Sequence, residues 1–218
     1  MYGGLVTSPL SPMRYPPEQK EMTRRKIMEA ATKLFRERGY HAAGVDAIMG
    51  EAGLTAGGFY SHFKNKEALL IAIIESSPEI TASCMPAGVQ ELEGVDWIIA
   101  TGEWYLSPEN RDNPDRSCPV PCLISEIGRQ GEETRAAFAI VHQHMEQMFV
   151  AHLGEFPEER RLPIAQAILM MSMGAITTAR GMGATPESDA YLADSRRRVQ
   201  EMLENERLRM ELTAGAIA

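Results

Sequence analysis

The sequence predicts an all-α protein, a small amino-terminal helical unit followed by a larger helical domain. Three observations predict it. Apolar residues recur at three- and four-residue spacing along most of the chain, and no run alternates as a strand would. Glycine, proline, asparagine and threonine punctuate these runs where helices begin and end. Between Gly39 and Leu70, two short apolar runs are joined by a glycine and followed by an aromatic and basic knot.

Residues 1–16 are rich in Gly, Ser and Pro, show no periodicity, and read as a flexible tail. Pro16 and Pro17 suit the start of a helix, with Glu18 and Glu21 favoured in its first turn. Ile27, Ala30, Ala31, Leu34 and Phe35 then form one stripe, which Gly39 closes behind basic residues. The second helix carries Val45, Ile48, Met49 and Ala52 and stops at Gly53. The third begins after Thr55, an N-cap residue, and carries Phe59, Tyr60 and Phe63. The fourth opens after Asn65, buries Leu69, Leu70, Ile73 and Ile74, and ends at Pro78. Further helices are expected over 89–105, 121–129, 132–153, 158–182 and 187–209. A break is expected near 77–88, and 107–121, with its four prolines, reads as a loop.

Hydrophobic residues make up 44% of the 218 and charged ones 24%, enough for a packed core. No basic start leads into an apolar run, so no secretory signal is expected. The longest uncharged segment, 162–179, includes Pro163, Gln166, Ser172, Thr177 and Thr178 and falls short of the roughly 20 apolar residues of a bilayer span. It is expected to be a buried helix, and the protein to be cytoplasmic with no membrane partner. Cys84, Cys118 and Cys122 are an odd number, which argues against a disulfide scaffold. The net charge of -8 is unevenly spread: residues 1–76 hold 10 Lys/Arg against 8 Asp/Glu, and the remainder 12 against 22. Attraction to DNA follows the local field, so the acidic total does not exclude it.

The Gly39–Leu70 stretch has the layout of a helix-turn-helix, over 44–63. Its turn needs a small residue because the two helices cross closely; Gly53 fills that place, and Leu54 plugs the core behind it. The outer helix needs small or polar residues so that its backbone can lie near base edges. Ala56, Gly57, Gly58 and Ser61 are small, while Tyr60, His62, Lys64 and Lys66 offer hydrogen bonds or charge to phosphates. Phe59 and Phe63 read as core.

These residues resemble the TetR/AcrR family of bacterial transcriptional regulators. The resemblance rests on Ala-Gly-Leu-Thr at 52–55, Gly57-Gly58-Phe59-Tyr60-Ser61-His62-Phe63 and Lys64-Asn65-Lys66-Glu67-Ala68-Leu69, with Phe35 and Gly39 closing the first helix. It covers about 60 residues. It implies a DNA-binding domain over 17–77 and a helical ligand-binding and dimerisation domain over 78–218. It also implies phosphate contacts at Tyr60, His62 and Lys66, and base-facing positions at Ala56, Gly57, Gly58 and Ser61. Two departures matter. Gly44 stands where the family usually has Ser or Thr, and it caps without a hydroxyl. Gly58 stands where Thr, Ser or Ala is common, leaving few side chains for base contacts and shifting specificity toward DNA shape and thymine methyls. The DNA-contacting set is therefore Gly44, Thr55, Ala56, Gly57, Gly58, Tyr60, Ser61, His62, Lys64 and Lys66.

In the second domain, Ile164, Ile168, Met171 and Ala175 form a stripe, Gly174, Ala175 and Gly181 permit close helix approach, and Val199, Met202, Leu203, Leu208 and Met210 partly continue an apolar face. Paired across two subunits these make a four-helix interface; the same pattern also suits an internal core. Trp97, Trp104, Tyr105, Phe138, Met145 and Met171 are the candidate walls of an effector pocket. Cys118 and Cys122 lie four apart at a helix start, where a thiol is a redox or electrophile candidate, with packing as the alternative. A zinc site joining them to His142 and His144 has an undependable spacing, so no metal and no cofactor are expected. A thiol-dependent enzyme is the most distant reading, since no catalytic signature pairs these cysteines with a base. The reading that results is a non-enzymatic homodimeric repressor, bound to double-stranded operator DNA and released by a small-molecule effector. Cysteine sensing on the same scaffold is its alternative.

Overall fold

The computed structural model describes residues 17–215; the tail expected over 1–16 lies outside the described residues. Among the described residues all regular structure is helical. Helix α1 (Pro17–Arg38) buries the stripe Ile27, Ala30, Ala31, Leu34 and Phe35. Helix α2 (Val45–Glu51) buries Ile48 and Met49. It stops at Gly53, whose φ of +69° would strain any side chain, and the turn closes through Leu54 N–H to Met49 O at 2.8 Å. Helix α3 (Lys66–Glu75) starts under the Asn65 side chain, which accepts from Ala68 N–H at 2.7 Å, and buries Leu69, Leu70, Ile73 and Ile74.

The third expected helix is different. Ala56–Ser61 winds as a 3₁₀ coil, and the Thr55 hydroxyl before it makes no capping bond. Gly57 and Gly58 each disfavour an α-helix by about 0.8–1.0 kcal/mol relative to Ala, and six residues give too few bonds to offset that. Phe59 and Phe63, 5.7 Å apart between ring centroids, pin the coil to the core. A Cβ at Gly58 would meet Met49 Cε at 3.5 Å and Thr55 Oγ1 at 4.0 Å, ordinary contacts. Gly58→Ala is therefore expected to stabilise the protein by about 0.5–1 kcal/mol, read from urea unfolding. A loss of stability would contradict this packing.

Other departures have one cause. Pro78 does not end a helix but begins one: α4 (Ser77–Cys84) and α5 (Ala87–Gln90) occupy the expected break. The expected loop 107–121 contains α7 (Pro108–Asp112), a 3₁₀ turn at Pro114–Arg116 and the start of α8 (Val120–Ile127), between α6 (Gly94–Tyr105) and α9 (Glu132–Ala151). Helices α4, α7 and α8 and the 3₁₀ turn each have proline in the first turn, where the missing N–H has no partner to lose, and Pro86 directly precedes α5. The long helices α10 (Glu158–Met182) and α11 (Pro186–Gly215) follow. Helix α10 is long and apolar enough to cross a bilayer, at a mean hydropathy of 1.5, yet Ile164, Ala165, Ile168, Leu169 and Ile176 are buried in the protein core.

The cores join the two parts. Helices α1 to α3 share one apolar cluster with Leu123 and Ile127 of α8 and Val141 of α9. A second cluster gathers Trp97, Ile98, Phe149, Leu153, Ile164, Ile168, Val199 and Leu203. Polar ties cross the same junction: Thr134 Oγ1 donates to Glu67 Oε1 at 2.8 Å, and Arg36 Nη2 donates to Ser117 O at 2.7 Å.

Candidate nucleic-acid interface

The start of α2 and the 3₁₀ coil meet along one exposed edge. Gly44, Val45, Asp46, Ala56, Gly57 and Tyr60 line a single shallow depression of about 400 Å³. Residues 16 apart in sequence thus form one concave surface, floored by glycine and alanine. Tyr60 stands beside it with 69% of its surface exposed, its ring edge-on to Phe59 at 5.3 Å. Thr55, Ser61 and Lys64 are also exposed, while Gly58 is half-buried against α2. The Ser61 hydroxyl donates to Gly58 O at 2.7 Å, so it braces the coil.

Two of the expected contact residues face inward. Lys66 Nζ donates to Tyr40 O at 2.8 Å and Ala43 O at 3.3 Å, and sits 4.4 Å from the Tyr40 ring centroid. Burial holds its ammonium below the usual lysine range. Lys66 thereby ties α3 to the turn that carries Gly44. His62 is half-buried, with Nδ1 enclosed and unpartnered, and its carbonyl accepts from Arg24 Nη1 at 3.0 Å. Burial first, then Lys20 and Arg24, hold the imidazole below its ordinary range. An unfolded histidine titrates near about pH 6.5. As pH falls through that value the unfolded chain takes the proton first, so stability declines; above it nothing is lost. His62→Gln is expected to flatten the stability profile between about pH 6.5 and 5, and an unchanged slope in denaturant melts would assign it to another group.

Asp46 is a member of this surface that sequence reasoning missed. It is exposed in the first turn of α2, where a carboxylate suits the helix N-terminus. Its place in the depression gives the edge an acceptor suited to a cytosine amino group. Only its neighbourhood to residues 56–60, invisible in one dimension, marks it.

The candidate effector walls do not all meet in one place. Trp97, Trp104 and Met171 pack with the second core cluster, Phe138 with the reading head's cluster, Met145 against both, and Tyr105 joins a third with Leu106 and Ala179. Trp97 lies stacked on His152 at 4.0 Å between centroids. A groove of about 850 Å³ instead runs between α1 and α4, past Met28, Thr32, Arg36, Ile80 and Cys84. The cysteines also differ: Cys118 is buried, and Cys122 is half-buried.

A glycine-hinged helix pair carrying a small-residue edge, locked to a helical body by a common core, defines a helix-turn-helix regulator. Residues 27–73 match the family described as "Bacterial regulatory proteins, tetR family", and the relatives and solved structures that follow support a transcriptional regulator of that family. Its members are transcriptional regulators and not enzymes. The chain is 29% identical to the uncharacterised HTH-type transcriptional regulator YxaF of Bacillus subtilis, over 71% of this chain and 83% of that protein. It is 46% identical to the transposon Tn10 TetC protein of Escherichia coli, over 51% of this chain and 56% of that one. It spans 41% of the length of the regulator UidR of E. coli, at 32% identity over 37% of its own. Among solved structures, a TetR transcriptional regulator from Chloroflexus aurantiacus superposes with a TM-score of 0.72 at 22% identity, covering 87% of this chain and 98% of that one.

Proposed function

We propose that the protein is a homodimeric repressor acting in the cytoplasm, bound to double-stranded operator DNA and released by a small-molecule effector. The observation that carries the DNA contact is the depression uniting Gly44, Ala56, Gly57 and Tyr60. Its bare floor admits the sugar-phosphate backbone or a thymine methyl closely, and Tyr60, Thr55 and Lys64 reach phosphates from its margins. Lys66 and His62 set the shape of this edge from behind.

The dimer rests on α10. Ile164, Ile168 and Ala175, with Val199 and Leu203 of α11, are spent on the internal core. The face of α10 turned outward carries Pro163, Met170, Gly174, Thr177 and Gly181, with no charged residue from 162 to 179. Met170 is 66% exposed. An uncharged, small-residue face along a helix of this length suits an isologous four-helix contact with a second copy, joined by Leu208 and Leu212 of α11. Two reading heads then meet successive major grooves, about 34 Å apart. An effector that shifts α8 and α9 moves the reading heads through the common core and changes that spacing, a population shift between two states.

Sedimentation of the protein with a tight-binding duplex tests this reading. Two chains per duplex are expected, with release by at least one member of a small-molecule library screened against the complex. A single chain per duplex would overturn the dimer, and an unaltered complex would overturn effector release.

A further inference from the structure

Two guanidinium groups converge on the segment that carries the cysteines, and neither serves the DNA edge. Arg180 of α10 donates from Nη1 to Cys122 Sγ at 3.3 Å, and from Nη2 to Ser117 Oγ at 3.1 Å and Asn110 O at 3.2 Å. Arg36 of α1 donates from Nη2 to Ser117 O at 2.7 Å and from Nη1 to the exposed Asp115 carboxylate at 3.3 Å. The Arg36 side chain is only 5% exposed. Its Nε, the Arg180 Nε and the Asn110 Oδ1 are all buried without a hydrogen-bond partner. Burial lowers the Arg36 guanidinium, and the Cys122 sulfur and then Asp115 offset part of that effect. The site thus holds one buried and one half-buried cation, one external carboxylate, and two unused N–H donors beside one unused amide oxygen. Buried charges and donors of this kind call for an anionic oxygen or sulfur.

We propose that Cys122 is a hydroperoxide-reactive thiol, set by Arg180 and Arg36, whose oxidation reaches the reading head through Ser117. The Cys122 thiolate attacks the distal oxygen of the hydroperoxide. An S–O bond forms and the O–O bond breaks. The departing alkoxide takes up the proton that the thiol gave to solvent, so the cysteine is oxidised to a sulfenic acid and the hydroperoxide is reduced to an alcohol. Arg180 stabilises the charge on the attacking sulfur, and the new oxygen gives the unused guanidinium donors an acceptor. Cys118 does not share this chemistry. It is 2% exposed, and burial pushes its thiol up, only partly offset by the Thr81 side chain, the Val120 backbone and the charges of Arg36 and Arg180. From Cys122 the path to α1 runs through Arg180, Ser117 and Arg36, so a change at the sulfur re-aims the bond that holds the last turn of α1.

The test needs no DNA, so its outcome is separate from that of operator binding. The full chain is treated with limiting cumene hydroperoxide in the presence of dimedone, and the labelled peptides are mapped. The label is expected on Cys122, with Cys118 unlabelled and Cys84 far slower. Arg180→Leu is expected to slow Cys122 labelling about tenfold, the effect of one charge-assisted hydrogen bond, with Arg180→Lys recovering part of the rate. Hydrogen exchange over residues 33–38 is expected to rise on oxidation of the wild type and to stay unchanged in Cys122→Ser. Label on Cys84, or equal label on all three cysteines, overturns the assignment. Unchanged labelling in a folded Arg180→Leu, or unchanged exchange over 33–38, overturns the activation or the transmission. If Arg180→Leu does not fold, the wild-type label map and the Cys122→Ser exchange comparison decide alone.

Discussion

Met170→Arg is expected to separate the protein into monomers and to weaken operator binding by about 10²–10⁴-fold. Two linked reading heads gain that factor because the second binds at an effective concentration near the millimolar range. Met170 is 66% exposed at the middle of the uncharged outer face of α10, with Gly174 one turn away. Two arginines facing each other across an isologous contact repel and bring unpaired charge into an apolar interface. The substitution touches no internal core residue, so helix content measured by circular dichroism is expected to be unchanged. Sedimentation velocity reads the dissociation directly. A variant that stays dimeric would place the interface elsewhere on the molecule.

Lys66→Ala is expected to lower stability by about 1.5–3 kcal/mol, the range for hydrogen bonds to a charged group, and to weaken DNA binding at the same time. The cause is positional. Lys66 Nζ gathers the carbonyls of Tyr40, His41 and Ala43, the turn that delivers Gly44 to the contact edge. Removing it leaves those oxygens to water and lets the turn drift. Lys66→Arg does not restore the contact, because a planar fork cannot point three donors at one converging set of carbonyls. The salt dependence distinguishes this from a phosphate contact. A lysine on phosphate contributes about 0.9 to the slope of log affinity against log salt. Lys66→Ala is expected to leave the slope unchanged, and a slope smaller by about one unit would show Nζ on the DNA.

The residues differ in how far one dimension reveals them. Ile27, Ala30, Ala31, Leu34 and Phe35 were legible because helical spacing alone puts them on one face, and all five are buried. The bounds of α10 match the expected 158–182, where Pro157 and Gly183 stand as the capping residues on either side. Proline misled the reading of 77–88 and 107–121, since the same residue that breaks a helix interior also opens a helix. The pairing of glycines at 57 and 58 was visible, but not that it tips the coil into a 3₁₀ form. Lys66 and Cys122 were singled out by type and spacing. What each touches lies 23 to 26 and 58 residues away, so their roles depend on tertiary placement. Ile164, Ile168 and Ala175 show the ambiguity of a stripe at its plainest, since an internal core and a dimer face demand the same spacing. Burial assigns them to the core and leaves Met170 and Gly174 outside.

Two copies of the protein are expected to present paired glycine-floored edges to successive major grooves. Selection of tight-binding duplexes from a random-sequence library with the purified protein tests it most directly. The expected product is an inverted repeat whose half-sites lie about one helical turn or a multiple apart, with enrichment lost in both Tyr60→Ala and Met170→Arg. An unpaired motif, or enrichment that persists in Met170→Arg, would contradict it.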